Sequence, residues 1–171
     1  MEAHIATERA IKASGIAYTI MRENCYADFI PWMLGEKVLE TGIYYPAGDT
    51  KVNWAFRSEM AEVAANILTG EDHENQDYNI SAEEQISFQD IAGMLTAITG
   101  ITVPYTSPEI NEYIAQKTKD GMPERFIGIF SSFGAATAQG EFLTENTDLE
   151  RLLGRKPASV EVYLRQIYSP G

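Results

Sequence analysis

The segment from His4 to Tyr26 constrains this chain most, because it reads as a helix, a stop and a strand in immediate succession. Alanines at 3, 6, 10 and 13 recur at steps of three and four, so they fall on one helical face. Small residues in that pattern predict a helix lying close against a sheet. Gly15 sits where a helix ends in a left-handed residue. Ile16-Ala-Tyr-Thr-Ile-Met21 is apolar on both faces and predicts a strand covered on both sides, as in parallel sheets. Arg22-Glu-Asn-Cys-Tyr26 then falls at the carboxyl end of the strand, the edge at which open α/β sheets bind ligands.

The remaining elements follow from local signals. Residues 26–39 predict a helical stretch bent near Pro31. Short strands at 42–47 and 51–55 flank a Gly48-Asp49 turn. Arg57 to Thr69 predicts a helix with Ala61, Ala64, Ile67 and Leu68 on its inner face, and residues 76–81 a strand. Ser87 is a helix N-cap before the buried stripe Ile91, Leu95, Ile98, with Gly100 as the stop. A strand is expected over 101–105, and Ser107-Pro108 reads as the start of a helix running to Lys119. Residues 123–140 predict a helix with the ridge Phe126, Ile129, Phe130, Phe133. Two last helices, 147–153 and 159–168, flank Gly154-Arg-Lys-Pro157.

Composition narrows the class. A hydrophobic share of 44% in 171 residues describes one globular unit over 1–171. The formal net charge of −12 argues against nucleic acid and anionic membranes as partners, since both recruit basic patches. No apolar run approaches the ~20 residues of a membrane span. A single cysteine, Cys25, fits a reducing compartment and a cytoplasmic location. With His4 and His73 the only histidines, no metal site is expected.

Several landmarks together resemble the NmrA-like atypical short-chain dehydrogenases, in their NAD(P)H:quinone oxidoreductase and triphenylmethane reductase branch. They are His4 and Glu8 on the first helix, Tyr18-Thr19 and Arg22 on the strand, and Tyr26 after it. Tyr45-Pro-Ala-Gly-Asp49, Arg57, Tyr78-Asn79 and Leu152-Leu-Gly154 continue the likeness. Members of that family begin with a strand and a Gly-x-x-Gly-x-x-Gly turn that seats the dinucleotide pyrophosphate. Here no two of the thirteen glycines lie two or three residues apart. The resemblance therefore implies a truncated Rossmann-type α/β fold, with late sheet strands and a mainly helical substrate-side region. It implies an NAD(P)H-dependent reductase of quinones or similar planar acceptors, of which this chain alone is expected to hold no cofactor and to be inactive. The alternative is a non-catalytic regulatory or assembly module.

The same resemblance assigns candidate residues. His4 stands at the position that contacts the nicotinamide ribose, and is either a catalytic residue that hydrogen-bonds the cofactor or supplies a proton, or a solvated side chain. Asn24 and Tyr26 are the expected nicotinamide-side contacts. Glu23 stands where relatives more often carry an asparagine. Phe29, Trp32 and Met33 are either the wall of the acceptor pocket or a satellite hydrophobic core. Arg22 is expected to pair with a carboxylate, Arg57 to act as a tether, and Cys25 to be inert. An open strand edge at residues 16–21 leads to the expectation of a homodimer.

Overall fold

The structure, a computed structural model, describes residues 2–169. In chain order the elements are α1 (Glu2–Ala13), β1 (Thr19–Glu23), a 3-10 turn (Ala27–Phe29), α2 (Ile30–Leu34), α3 (Val38–Thr41), β2 (Ile43–Tyr44) and β3 (Val52–Asn53). They continue as α4 (Arg57–Thr69), β4 (Gln76–Ile80), β5 (Gln85–Ile86), α5 (Phe88–Thr99), β6 (Tyr105–Thr106), α6 (Ile110–Lys119), α7 (Glu124–Ala138), α8 (Leu149–Leu153) and α9 (Val160–Tyr168). β1 and β4 pair in parallel, with Met21 opposite Tyr78. β2 pairs in parallel with β6, and β3 antiparallel with β5. The strands on either side of Gly48-Asp49 thus choose distant partners rather than each other. No helix among the described residues is long and apolar enough to cross a membrane.

Two hydrophobic clusters support these pairs. One face of β1–β4 carries Tyr78 and Ile80 against Met60, Val63 and Ile67 of α4 and Leu149 and Leu153 of α8. The larger cluster gathers Tyr45, Trp54, Phe88, Ile91, Leu95, Tyr113, Phe130 and Leu164. Fully burying side chains such as Leu95 and Leu164 contributes roughly 1.5–3 kcal/mol each. α5 starts as its sequence dictates: Ser87 Oγ accepts the Asp90 backbone N–H, and the Asp90 carboxylate accepts from Ser87 N.

Several expected faces are corrected. On α4 the buried residues are Glu59, Met60, Val63 and Ile67, while Leu68 is 84% exposed. A helix this short buries a face only about 100° wide, and α8 selects which one. Ser107 does not cap α6; its hydroxyl accepts the Gly48 N–H at 2.8 Å, and α6 begins after Glu109. The strand expected over 101–105 is reduced to Tyr105–Thr106. On α7 the buried positions are Ile127, Phe130, Ser131, Gly134 and Thr137. The small residues face inward because Pro46 lies there, its Cγ 2.7 Å from where a β-carbon on Gly134 would be. That packing turns Ile129 and Phe133 outward.

The first strand begins three residues later than expected. Ile16 is 63% exposed, and β1 is at most half-buried along its length, not covered on both sides. Nor does the alanine face of α1 meet the sheet; Ala3, Ala6, Ala10 and Ala13 are all exposed. What holds α1 down is charge. Glu8 accepts from Arg22 and Lys12, and both cations also reach Asp77 on β4. Because Lys12 lies over the Tyr18 ring, before β1, while Glu8 meets Arg22 near its end, α1 runs antiparallel to β1.

Hydrogen bonds from Arg22, then from Lys12, hold the Glu8 carboxyl at about 2, below its usual 4.5. A carboxyl depressed on folding stabilises above its unfolded value and loses that contribution as pH falls from about 4.5 to about 2. Glu8→Gln is therefore expected to lower the melting temperature at pH 7 and to leave it unchanged, relative to the parent, near pH 2. Paired thermal melts across that window check it; a constant difference would mean that the ion pairs do not hold α1.

Candidate functional site

The carboxyl end of β1 gathers most of the candidate residues. Asn24 follows the strand, and its backbone N–H donates to Ile80 O of β4 at 3.2 Å. Its side chain is anchored at both ends: Nδ2 donates to Phe142 O at 3.1 Å and Oδ1 accepts from Cys25 N at 2.9 Å. Asn24 is thus a clamp between the strand end and the loop after α7. Tyr26 bridges to Ala55, and its hydroxyl donates to Glu23 Oε2 at 2.9 Å. That bond, more than burial, raises the Tyr26 pKa above the ordinary phenol value. Cys25 is buried, and burial pushes its thiol up to about 12, so it is no nucleophile.

Beyond Tyr26 an aromatic wall begins. Tyr26 stacks on Phe29 with centroids 5.9 Å apart, and Phe29 lies 5.8 Å from Trp32. The 3-10 turn and the first turn of α2, entered through Pro31, hold these rings one after another. Trp32 then meets α7: Phe126 lies edge-on at 5.3 Å and Phe130 at 4.7 Å. Such pairs add about 0.5–1.5 kcal/mol each beyond area burial. Phe130 is itself fixed from beneath, its carbonyl accepting the Tyr45 hydroxyl at 3.0 Å. Trp32 nevertheless keeps 47% of its surface exposed, whereas Met33 packs against the larger cluster. Of the three residues expected either in a pocket wall or in a satellite core, Phe29 and Trp32 lie in the aromatic row and Met33 packs against the larger cluster. Phe133 stacks on Phe142 at 5.6 Å and extends the apolar surface on the Asn24 side.

The contribution of α7 was not anticipated as part of a site. Its signal was present: Phe126, Ile127, Ile129, Phe130 and Phe133 are more large apolar residues than one helical face can bury. Arg57 performs the expected tethering. Its backbone N–H donates to Asp28 Oδ2 at 2.9 Å and its guanidinium lies 5.1 Å above the Phe29 ring. His4 is exposed on α1, one turn before Glu8, and so lies toward the same carboxyl end of β1. A concavity of about 1020 Å³ lies elsewhere, at the amino ends of β1 and β4, lined by Thr19, Gly70, His73 and Asn75. It is open to solvent and remote from the aromatic wall.

The starts of α4 and α5 do not suit a dinucleotide. Its diphosphate needs free N–H groups at a helix N-terminus. Here the first N–H of α4 is taken by Asp28 and the start of α5 is closed by Asp90. Each helix from α3 to α9 also carries an acidic residue in its first turn. What the chain presents instead is a row of aromatic rings with Trp32 partly exposed.

Known proteins share this fold. Over 96% of this chain and 58% of its own, the triphenylmethane reductase of Citrobacter sp., solved with NADP(H), superposes with a TM-score of 0.89 at 30% identity. The chain matches the C-terminal part of the NmrA-like reductases. Quinone oxidoreductase 2 of Escherichia coli is 23% identical over 97% of this chain and 58% of its own length. An NmrA-like family domain-containing oxidoreductase of Aspergillus flavus is 26% identical over 96% and 54%. The chain therefore spans a little over half the length of these relatives. No family profile matches it. Its fold is of the NAD(P)-binding Rossmann-like reductase type.

Proposed function

We propose that these residues form the acceptor side of an NAD(P)H-dependent reductase of quinones or similar planar compounds. The observation that carries this reading is the aromatic wall Tyr26, Phe29, Trp32, Phe126, which leaves Trp32 half-exposed at the carboxyl end of β1. A planar acceptor stacks on Trp32 and displaces water from Phe133 and Phe142. Orientation of this kind, rather than a strong general acid, is what hydride transfer to a conjugated acceptor requires. A nicotinamide bound beside the wall would supply the hydride. The acceptor also takes up one proton, and we assign that delivery to His4, with Asn24 and Tyr26 bordering the nicotinamide side. We take the chain to work in the cytoplasm as a homodimer.

The wall can be tested without cofactor. Of the two tryptophans, Trp54 is buried and Trp32 is exposed, so quenching by an added quinone reports on Trp32. Menadione is expected to quench saturably with a Kd below about 1 mM. Phe126→Ala removes the edge-on partner of Trp32 and is expected to weaken binding about 2–10-fold. Trp32→Phe should abolish the signal. Quenching that rises linearly without saturation would remove the acceptor wall. Separately, a fusion to a relative's nucleotide-binding segment that bound NADPH but reduced no quinone would favour a dinucleotide sensor instead.

A further inference from the structure

Residues 140–148, which follow α7, are bonded to the ends of β1, β3 and β4. Phe142 O accepts two donors at 3.1 Å, Asn24 Nδ2 just after β1 and the backbone N–H of Asn53 in β3. Thr144 N donates to Asn53 Oδ1 at 2.9 Å, and Asn53 Nδ2 donates onward to Ala82 O, beyond β4. Asp148 exchanges two bonds with the main chain of Asn79 in β4, at 2.9 and 2.8 Å. Asn53 is fully buried, so its bonds form in a low-dielectric interior, where they are stronger than in water. Residues 140–148 are therefore a fixed strap. Bonds on either side of Leu143 give Phe142 one backbone position.

The ring of Phe142 lies nearly parallel to that of Phe133, with 12° between planes and 5.6 Å between centroids. Phe133 stands one helical turn beyond Phe130 on α7, about 4.5 Å further along the axis. Phe130 is a ring against which Trp32 packs, and side chains three apart share a helix edge. Phe133 keeps 42% of its surface exposed, much as Trp32 does. This edge of α7 thus carries two aromatic stations, one at Trp32 and one at the Phe133–Phe142 pair. A single six-membered ring covers one of them. An acceptor with further fused or linked rings reaches both. The bond from Asn24 to Phe142 O returns the row to the end of β1, two residues before Tyr26.

We propose that the Phe133–Phe142 pair is a second ring subsite, which selects extended, multi-ring acceptors over single-ring ones. Asn24 and Asn53 position it through the strap. This rests on the acceptor reading above and adds the size of the acceptor. Asn24 acts on the acceptor through Phe142, by holding the carbonyl that fixes where that ring can lie.

Quenching of Trp32 in the polypeptide Met1–Gly171 tests it, with duroquinone as the one-ring probe and phenanthrenequinone as the probe with three fused rings. Both are expected to saturate, phenanthrenequinone more tightly. A larger quinone binds more tightly to any apolar surface, so the deciding readout is how each variant treats the two probes. Phe133→Ala, at an exposed position, and Phe142→Ala should each weaken phenanthrenequinone about 3–10-fold and duroquinone less than ~2-fold. Asn24→Asp keeps an oxygen for Cys25 N but loses the donor to Phe142 O, and should repeat the pattern of Phe142→Ala. Equal losses for both quinones, or none for either, overturn the second subsite. A selective loss in the two Phe variants that Asn24→Asp does not share overturns the role of Asn24 and keeps the subsite. Quenching by both probes that rises linearly in the parent chain overturns the wall at Trp32 itself, and this inference with it.

Discussion

Titrated with NADPH, the polypeptide Met1–Gly171 is expected to bind with a Kd above about 1 mM, less than ~4 kcal/mol of binding free energy. Joined behind a nucleotide-binding segment of a relative, the same residues are expected to support low-micromolar binding. The first reason is the absence of closely spaced glycines, which bring backbone N–H groups near a diphosphate. The second is electrostatic. A ligand carrying several negative charges approaches a chain of net charge −12 whose helix N-termini already hold carboxylates. The Asp28 carboxylate at α4 occupies the place a phosphate oxygen would need. Calorimetry settles the matter: a low-micromolar Kd for the polypeptide alone would show that another part of it cradles the diphosphate. If binding returns in the fusion and Trp32→Ala there raises the KM for quinone with little change in affinity for NADPH, the two halves of the task are divided as proposed.

Legibility in the sequence tracked the range of the forces involved. The span of α4, the Ser87 cap of α5 and the extent of α9 depend on neighbours within one or two turns, and the structure follows them. The Arg22 ion pair and the inert Cys25 were also readable, from residue type and position alone. Faces were harder. Whether Leu68 or Met60 goes inward depends on α8, which lies far along the chain. Ser107 had two uses for its hydroxyl, and the Gly48 N–H, brought near by the β2–β6 pair, won over the helix cap. The aromatic wall was half visible for the same reason. Tyr26, Phe29 and Trp32 are close in sequence, while Phe126 and Phe130 reach Trp32 only because Tyr45 and Pro46 fix α7 across the larger core. The exposed alanines of α1 mislead in an instructive way: small residues permit close approach but do not cause it, and here the Glu8–Arg22–Asp77–Lys12 network decided which face turned to the sheet.

That long-range support makes a position remote from the wall the most sensitive one. Gly42 follows α3 with φ +77° and ψ −177°, a region essentially restricted to glycine. Its N–H donates to Val38 O at 2.9 Å, and the next N–H, from Ile43, donates to Pro104 O at 2.8 Å. An added β-carbon would lie 2.6 Å from Pro104 Cγ and 2.6 Å from that same carbonyl oxygen. Gly42→Ala therefore combines dihedral strain with a backbone collision at the first bond of the β2–β6 pair. We expect a loss of roughly 3–5 kcal/mol, a melting-temperature fall of about 6–20 °C. Gly35→Ala separates the two causes, since Gly35 also has positive φ, at +81°, but open space around its β-carbon. That variant should lose only about 1–2 kcal/mol. Displacing β2 also loosens Tyr45, whose hydroxyl holds Phe130 beneath Trp32. Gly42→Ala should thus red-shift the Trp32 emission before global unfolding, and Gly35→Ala should not. Equal losses in the two variants would mean that Pro104 yields, and that β2 does not carry the strain to the wall.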